Sequence, residues 1–81
     1  MAAYAVETKL STDEAIEAAV RYFGKNGVGL DLVDRDACCA RFEGGGGYVS
    51  VTTETGEKTT VNLETREWDF PVKRFMQSIK R

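Results

Sequence analysis

The chain has no histidine, a single proline (Pro71), two cysteines and only short apolar runs. Each shortage removes a class of protein. Without histidine, the usual carrier of protons near neutral pH is missing, and no serine or cysteine stands in a recognisable nucleophile motif, so the expectation is no enzyme. Two cysteines without histidine do not complete a four-ligand zinc site, and a secreted scaffold held by disulfides would carry more of them. The apolar runs fall far short of the ~20 residues of a membrane span, and the opening MAAYAVETKL lacks the charged start and apolar stretch of a signal peptide. These absences imply a soluble, cytoplasmic protein with no cofactor, no metal and no membrane partner.

What is present fits one globular domain, 1–81. Of the 81 residues, 42% are hydrophobic and 30% charged, too apolar for a disordered chain. No repeat, low-complexity tract or linker divides them. The net charge of -2, with both signs interspersed, gives nucleic acid no general attraction. Cys38 and Cys39 are adjacent, and neighbouring residues of a strand point to opposite faces, so the pair is expected to be reduced. A vicinal redox or soft-metal pair is the alternative.

The pattern of apolar residues changes period along the chain. From Ala3 to Leu10 it alternates, with Tyr4, Val6, Thr8 and Leu10 on one side, as in a half-buried strand. Ser11 and Glu14 form a capping box that opens a helix, whose stripe is Ile16, Ala19, Val20 and Phe23 and whose end is expected at Gly24 or Gly27, where glycine accepts a left-handed backbone. Four strands are predicted next, over Val28–Val33, Ala37–Glu43, Tyr48–Glu54 and Lys58–Trp68. Parity gathers Leu30, Leu32, Cys38, Ala40, Phe42, Val49, Val51, Val61 and Leu63 on one face. The other face carries Arg41, Glu43, Ser50, Thr52, Thr60, Asn62, Glu64 and Arg66 and is solvated. A last helix, capped by Asp69 with Pro71 in its first turn, carries the stripe Val72, Phe75, Met76 and Ile79.

Gly44, Gly45, Gly46 and Gly47 are the most unusual feature. A phosphate-cradling loop leads into a helix, yet YVSVTT follows, rich in β-branched residues; a phosphate reading survives only as a backbone nest. Phe42 and Val49 both face the core, so the connection keeps an even count, and Gly45-Gly46 as a two-residue primed turn with Gly44 opposite Gly47 satisfies it. Gly44 and Gly47 then face the helices and leave a notch for a helix residue, a partner or a ligand. If Val51 lies opposite Val61, Tyr48 lies opposite Glu64, and Trp68 falls beyond the turn on the solvated face. There it either covers bare glycine backbone or joins Tyr48 in an exposed recognition patch.

Other clusters have simpler readings. Asp31, Asp34 and Asp36 do not follow the spacing of a calcium loop and fit a solvated hairpin tip. Lys73, Arg74, Lys80 and Arg81 make the last nine residues purely basic, which complements a helix C-terminus and also offers a weak nucleic-acid contact.

The order β-α-β-β-β-β-α is that of an α+β two-layer sandwich, a five-stranded antiparallel sheet with two helices on one face. In topology it resembles the TATA-binding-protein repeat and the helix-grip folds, a likeness of element order resting on no sequence motif. The DNA-bending saddle resembled here presents an apolar open face with inserted aromatics, whereas this open face carries Arg41, Glu43, Glu64 and Arg66. The expected function is a non-catalytic binding or protein-interaction module. It would meet a protein partner or a second copy through a sheet edge, or through the corner of Gly44–Gly47, Tyr48 and Trp68. The alternative is a carrier of a small apolar ligand, in a cleft rimmed by Phe42, Gly44, Gly47, Phe70 and Met76. Nucleic-acid binding through the basic last helix stands third.

Overall fold

The structure is a computed structural model that describes residues 2–80; Arg81 of the basic C-terminal run lies outside them. Its order is β1 (Ala2–Thr8), α1 (Thr12–Phe23), β2 (Asp31–Arg35), β3 (Cys39–Gly44), β4 (Gly47–Glu54), β5 (Thr59–Arg66) and α2 (Asp69–Ile79). The strands form one antiparallel sheet in the order β1-β5-β4-β3-β2. The expected α+β architecture of five strands and two helices is therefore present. Because α1 joins β1 to β2, it carries the chain from one edge of the sheet to the other.

Local chemistry explains where the helices lie. Ser11 Oγ accepts from the Glu14 N–H at 3.1 Å while the Glu14 carboxylate accepts from the Ser11 N–H at 2.9 Å, so the capping box forms in full. At its far end α1 closes on Gly24, whose backbone is extended (φ -74°, ψ -166°) and not left-handed. Glycine is needed there for space, since a Cβ would sit 2.5 Å from the Val20 carbonyl oxygen. Asp69 does not cap α2. Trp68 occupies the N-cap without a side-chain bond, and the Asp69 carboxylate, one residue inside the helix, accepts from the Tyr4 hydroxyl at 2.7 Å.

Parity holds for most of the sheet. Val6 and Thr8 of β1, Ala40 and Phe42 of β3, Val49 and Val51 of β4, and Val61, Leu63 and Thr65 of β5 are buried under the helices. From above, Ile16, Ala19, Phe23, Val72, Phe75 and Ile79 close the core. Phe23 lies at its centre, 5.5 Å from Phe42 and 5.2 Å from Phe75 between ring centroids. Each side chain of this size removed from water contributes roughly 1.5–3 kcal/mol, so the core has the main share of stability.

β2 departs from expectation. It begins at Asp31, not Val28, because the Leu30 N–H bonds back to the Phe23 carbonyl and belongs to the exit from α1. Leu30 is buried as predicted, but Leu32 is 42% exposed although it pairs with buried Phe42. The helices explain this: α1 packs on β3 and β4 and α2 on β1 and β5, which leaves the β2 edge uncovered. A bulge at Val33 then shifts the register, so that Arg35 and not Asp34 shares a face with Ala40. From that face Arg35 reaches Glu17 of α1 at 3.0 Å.

The β4–β5 register also differs, with Val51 opposite Leu63 and Tyr48 opposite Arg66. The shift of two residues keeps every side chain on its predicted face. It places Thr65 opposite Val49, where Thr65 Oγ1 donates to the Tyr48 carbonyl at 2.8 Å.

Candidate functional site

The glycine corner is a two-residue turn. Gly44 pairs with Gly47, and Gly45 and Gly46 both take positive φ (58° and 82°), as a primed turn requires. The notch beside it is filled by the chain itself. A Cβ on Gly44 would lie 2.8 Å from Leu30 Cδ2, and one on Gly47 would meet the Arg66 carbonyl oxygen and Glu67 Cβ. Trp68 completes the closure, its indole N–H donating to the Gly44 carbonyl at 2.9 Å and its ring lying over Gly45.

Tyr48 and Trp68 occupy different environments. Glu67 takes a left-handed backbone (φ 77°), which breaks the strand alternation and turns Trp68 off the solvated face where parity had placed it; it is half-buried against the core. Tyr48 stays on the open face among Arg41, Glu43 and Arg66, with the Arg41 guanidinium 4.3 Å above its ring and Arg41 paired to Glu43 at 3.0 Å. Of the two readings of Trp68, covering glycine backbone is what the geometry displays.

The residues of the apolar cleft are spread apart. Phe42 is fully buried beside Phe23, and Leu30 occupies the space next to Gly44. Phe70 is 69% exposed with the Arg74 guanidinium 5.7 Å from its ring. Met76 instead joins Val6, Ala5, Glu7, Lys73, Gln77 and Lys80 around an open groove of about 430 Å³ between β1 and α2.

That groove runs along the free side of β1. This edge is regular through its seven residues, carries one charge, Glu7, and pairs with β5 only. The opposite edge, β2, carries the bulge and the charges Asp31, Asp34 and Arg35, devices that protect a strand from pairing. Beside β1, Lys73 Nζ stands 5.8 Å from the Tyr4 ring, and Lys80 lines the same groove. Asp69 holds the Tyr4 hydroxyl above its usual pKa, first through the hydrogen bond it accepts and also through its charge. Sequence reasoning named the sheet edges without choosing between them; the signal that distinguishes them is charge, one residue (Glu7) in Ala2–Thr8 against three (Asp31, Asp34 and Arg35) in Asp31–Arg35.

The cysteines contradict the expectation of a reduced pair. Cys38 and Cys39 are joined in a disulfide, with Cα atoms 3.7 Å apart. The alternation argument fails because Cys38 is not in a strand. It lies in the bend from Asp36 to Cys39, whose two backbone groups bond to each other at 2.9 and 3.4 Å, and β3 begins only at Cys39. Cys38 consequently is exposed and does not join Ala40 and Phe42 on the buried face.

Among the described residues no helix is long and apolar enough to cross a membrane. The chain matches no family model, no characterised protein and no solved structure, so the likeness to the TATA-binding-protein and helix-grip folds stays one of element order.

Proposed function

We propose that the protein is a non-catalytic interaction module that takes up an extended acidic segment of a partner along the edge of β1. The observation that carries this reading is the contrast between the two edges. β2 is bulged and charged, whereas β1 offers a straight, nearly uncharged ladder with exposed Ala3 and Ala5 on one face, which lets a further backbone approach. Added strands gain main-chain hydrogen bonds from such an edge, and specificity from side chains next to it.

Those neighbours favour an acidic partner. Lys73 and Lys80 line the groove beside β1 against the single carboxylate of Glu7, while Met76 and Val6 supply its apolar part. A second copy paired about a two-fold axis at β1 would bring both sets of lysines to one seam, which favours a different chain over self-association. The glycine corner has less to offer, since Leu30, Trp68 and the Arg66–Glu67 backbone already fill the space its glycines leave.

The test is an amide chemical-shift titration of the full chain with a heptapeptide of alternating Glu and Thr, alongside size-exclusion over a range of concentrations. The expected result is shifts confined to β1 and to the Lys73–Lys80 side of α2, weakened by added salt and lost in Lys73→Glu/Lys80→Glu. Unchanged β1 amides at saturating peptide, or a concentration-dependent dimer through this edge, would overturn the reading.

A further inference from the structure

The Cys38–Cys39 pair has no evident structural purpose. A disulfide stabilises chiefly by restricting the unfolded chain, and the benefit grows with the loop that it closes. Here the sequence separation is one, so the crosslink closes almost no chain. Nor is it sheltered: Cys38 is exposed and Cys39 only half-buried, at a hairpin tip away from the core. An inert structural cystine would be expected in neither position.

The surroundings of the pair are built. The Cys38 carbonyl accepts both the Thr53 N–H and the Thr53 hydroxyl at 2.9 Å, which anchors the tip to the central strand β4. The Asp36 carboxylate accepts the Cys38 N–H at 3.1 Å and lies 3.2 Å from Cys38 Sγ. One donor atom from each of Asp36, Cys38 and Cys39 lies within 4.8 Å of the others. A groove of about 490 Å³ opens at the same tip, lined by Asp13, Ile16, Glu17, Arg35, Asp36 and Ala37, with Glu17 paired to Arg35.

We propose that Cys38–Cys39 is an exchangeable dithiol–disulfide site, reduced by external dithiols, whose reduced form holds a thiophilic divalent cation between the two sulfurs and the Asp36 carboxylate. In the exchange, a thiolate of the external dithiol attacks one Sγ and the other leaves as a thiolate that takes a proton. The second thiolate of the reagent then attacks the reagent sulfur of the mixed disulfide and expels the remaining protein Sγ, which takes a proton, so two electrons pass to the protein and the reagent leaves as its own cyclic disulfide. On metal binding the two cysteine thiols give up their protons to solvent. Soft thiolate donors select for such ions, and three donors from one loop leave coordination positions open for a further ligand. Thr53 keeps the Cys38 carbonyl fixed throughout, so the fold need not open.

The experiment uses the intact protein under native conditions. N-ethylmaleimide is added before and after treatment with dithiothreitol, adducts are counted by intact mass, and Cd²⁺ binding to each form is followed by thiolate–metal absorbance. The expected result is no adduct before reduction, two after it with an unchanged far-ultraviolet spectrum, return of the disulfide with oxidised dithiothreitol, and one Cd²⁺ bound by the reduced form only. Asp36→Ala should leave both adducts and weaken Cd²⁺ by at least about tenfold, the loss that removal of even an outer-shell partner causes at a metal site. Cys38→Ser should abolish both behaviours. Adducts that appear only in denaturant, thiols that do not re-form the disulfide, or a reduced protein that ignores Cd²⁺ would overturn the proposal.

Discussion

The indole of Trp68 donates its N–H to the carbonyl of Gly44 at 2.9 Å, across 24 residues of sequence, and its ring covers Gly45. This contact joins the start of α2 to the β3–β4 turn and closes one end of the sandwich. Trp68→Phe keeps a ring there but loses the hydrogen bond to the Gly44 carbonyl and should cost about 1 kcal/mol. Trp68→Ala also removes the cover and should cost roughly 2 kcal/mol, below the 3–5 of a fully buried aromatic. Urea unfolding would show both as lower midpoints with the same slope; equal costs for the two variants would mean that the hydrogen bond carries the contact and the ring does not.

The four glycines should differ sharply from one another. Gly46 has open space where a Cβ would go, so Gly46→Ala bears only the left-handed backbone, roughly 1–2 kcal/mol. At Gly47 the new methyl would strike the Arg66 carbonyl and Glu67 Cβ, backbone and near-backbone that cannot swing aside. Gly47→Ala should therefore cost about 3 kcal/mol, at the upper end of overpacking. Thermal melts of the two single variants decide the order, and a milder effect at Gly47 would mean that the β5–α2 junction moves easily.

What the sequence made legible follows from what its patterns encode. The Ser11–Glu14 box and the Gly45-Gly46 turn have local causes and stand where local reasoning places them; of the i, i+3, i+4, i+7 stripes, Ile16, Ala19, Phe23, Val72, Phe75 and Ile79 are buried, while Val20 and Met76 are only half-buried. The β4–β5 register was misjudged by two because alternation repeats every two residues, so an even slip leaves both faces identical and only tertiary partners such as Thr65 and Trp68 choose. Nothing in Leu32-Val33-Asp34 marks a bulge, and the disulfide was missed because the chain was taken as a strand through Cys38. Of the candidate site residues, the pattern found the turn at Gly44–Gly47. It could not foresee that Leu30 and Trp68 would occupy the space beside it, which depends on how α1 and α2 are delivered to the corner.

Stability should scarcely depend on the disulfide. With no loop to restrain, its removal by Cys38→Ser/Cys39→Ser should change unfolding free energy by about 1 kcal/mol or less, against 2–5 for a typical structural cystine. Urea denaturation of the double variant and of the native protein, run side by side, measures this. A larger loss would assign the crosslink a structural purpose and weaken the case for exchange.

The bond from Tyr4 to Asp69 ties the β1 edge to the first turn of α2, and it carries a definite pH signature. Asp69 raises the Tyr4 pKa because its carboxylate accepts the phenolic proton and its charge opposes a phenolate. A folded-state value above the unfolded one means that folding favours the protonated phenol. The contribution is therefore complete below the ordinary phenol pKa of about 10 and is lost as pH rises through the raised folded value. Asp69→Asn keeps an acceptor without the charge and should bring the Tyr4 titration back toward the ordinary phenol range. Tyr4→Phe removes the group, lowers stability near neutrality and flattens the alkaline limb of a plot of urea midpoint against pH. An alkaline limb of unchanged steepness in Tyr4→Phe would assign that loss to other groups, because the variant has no phenol at this position to ionise.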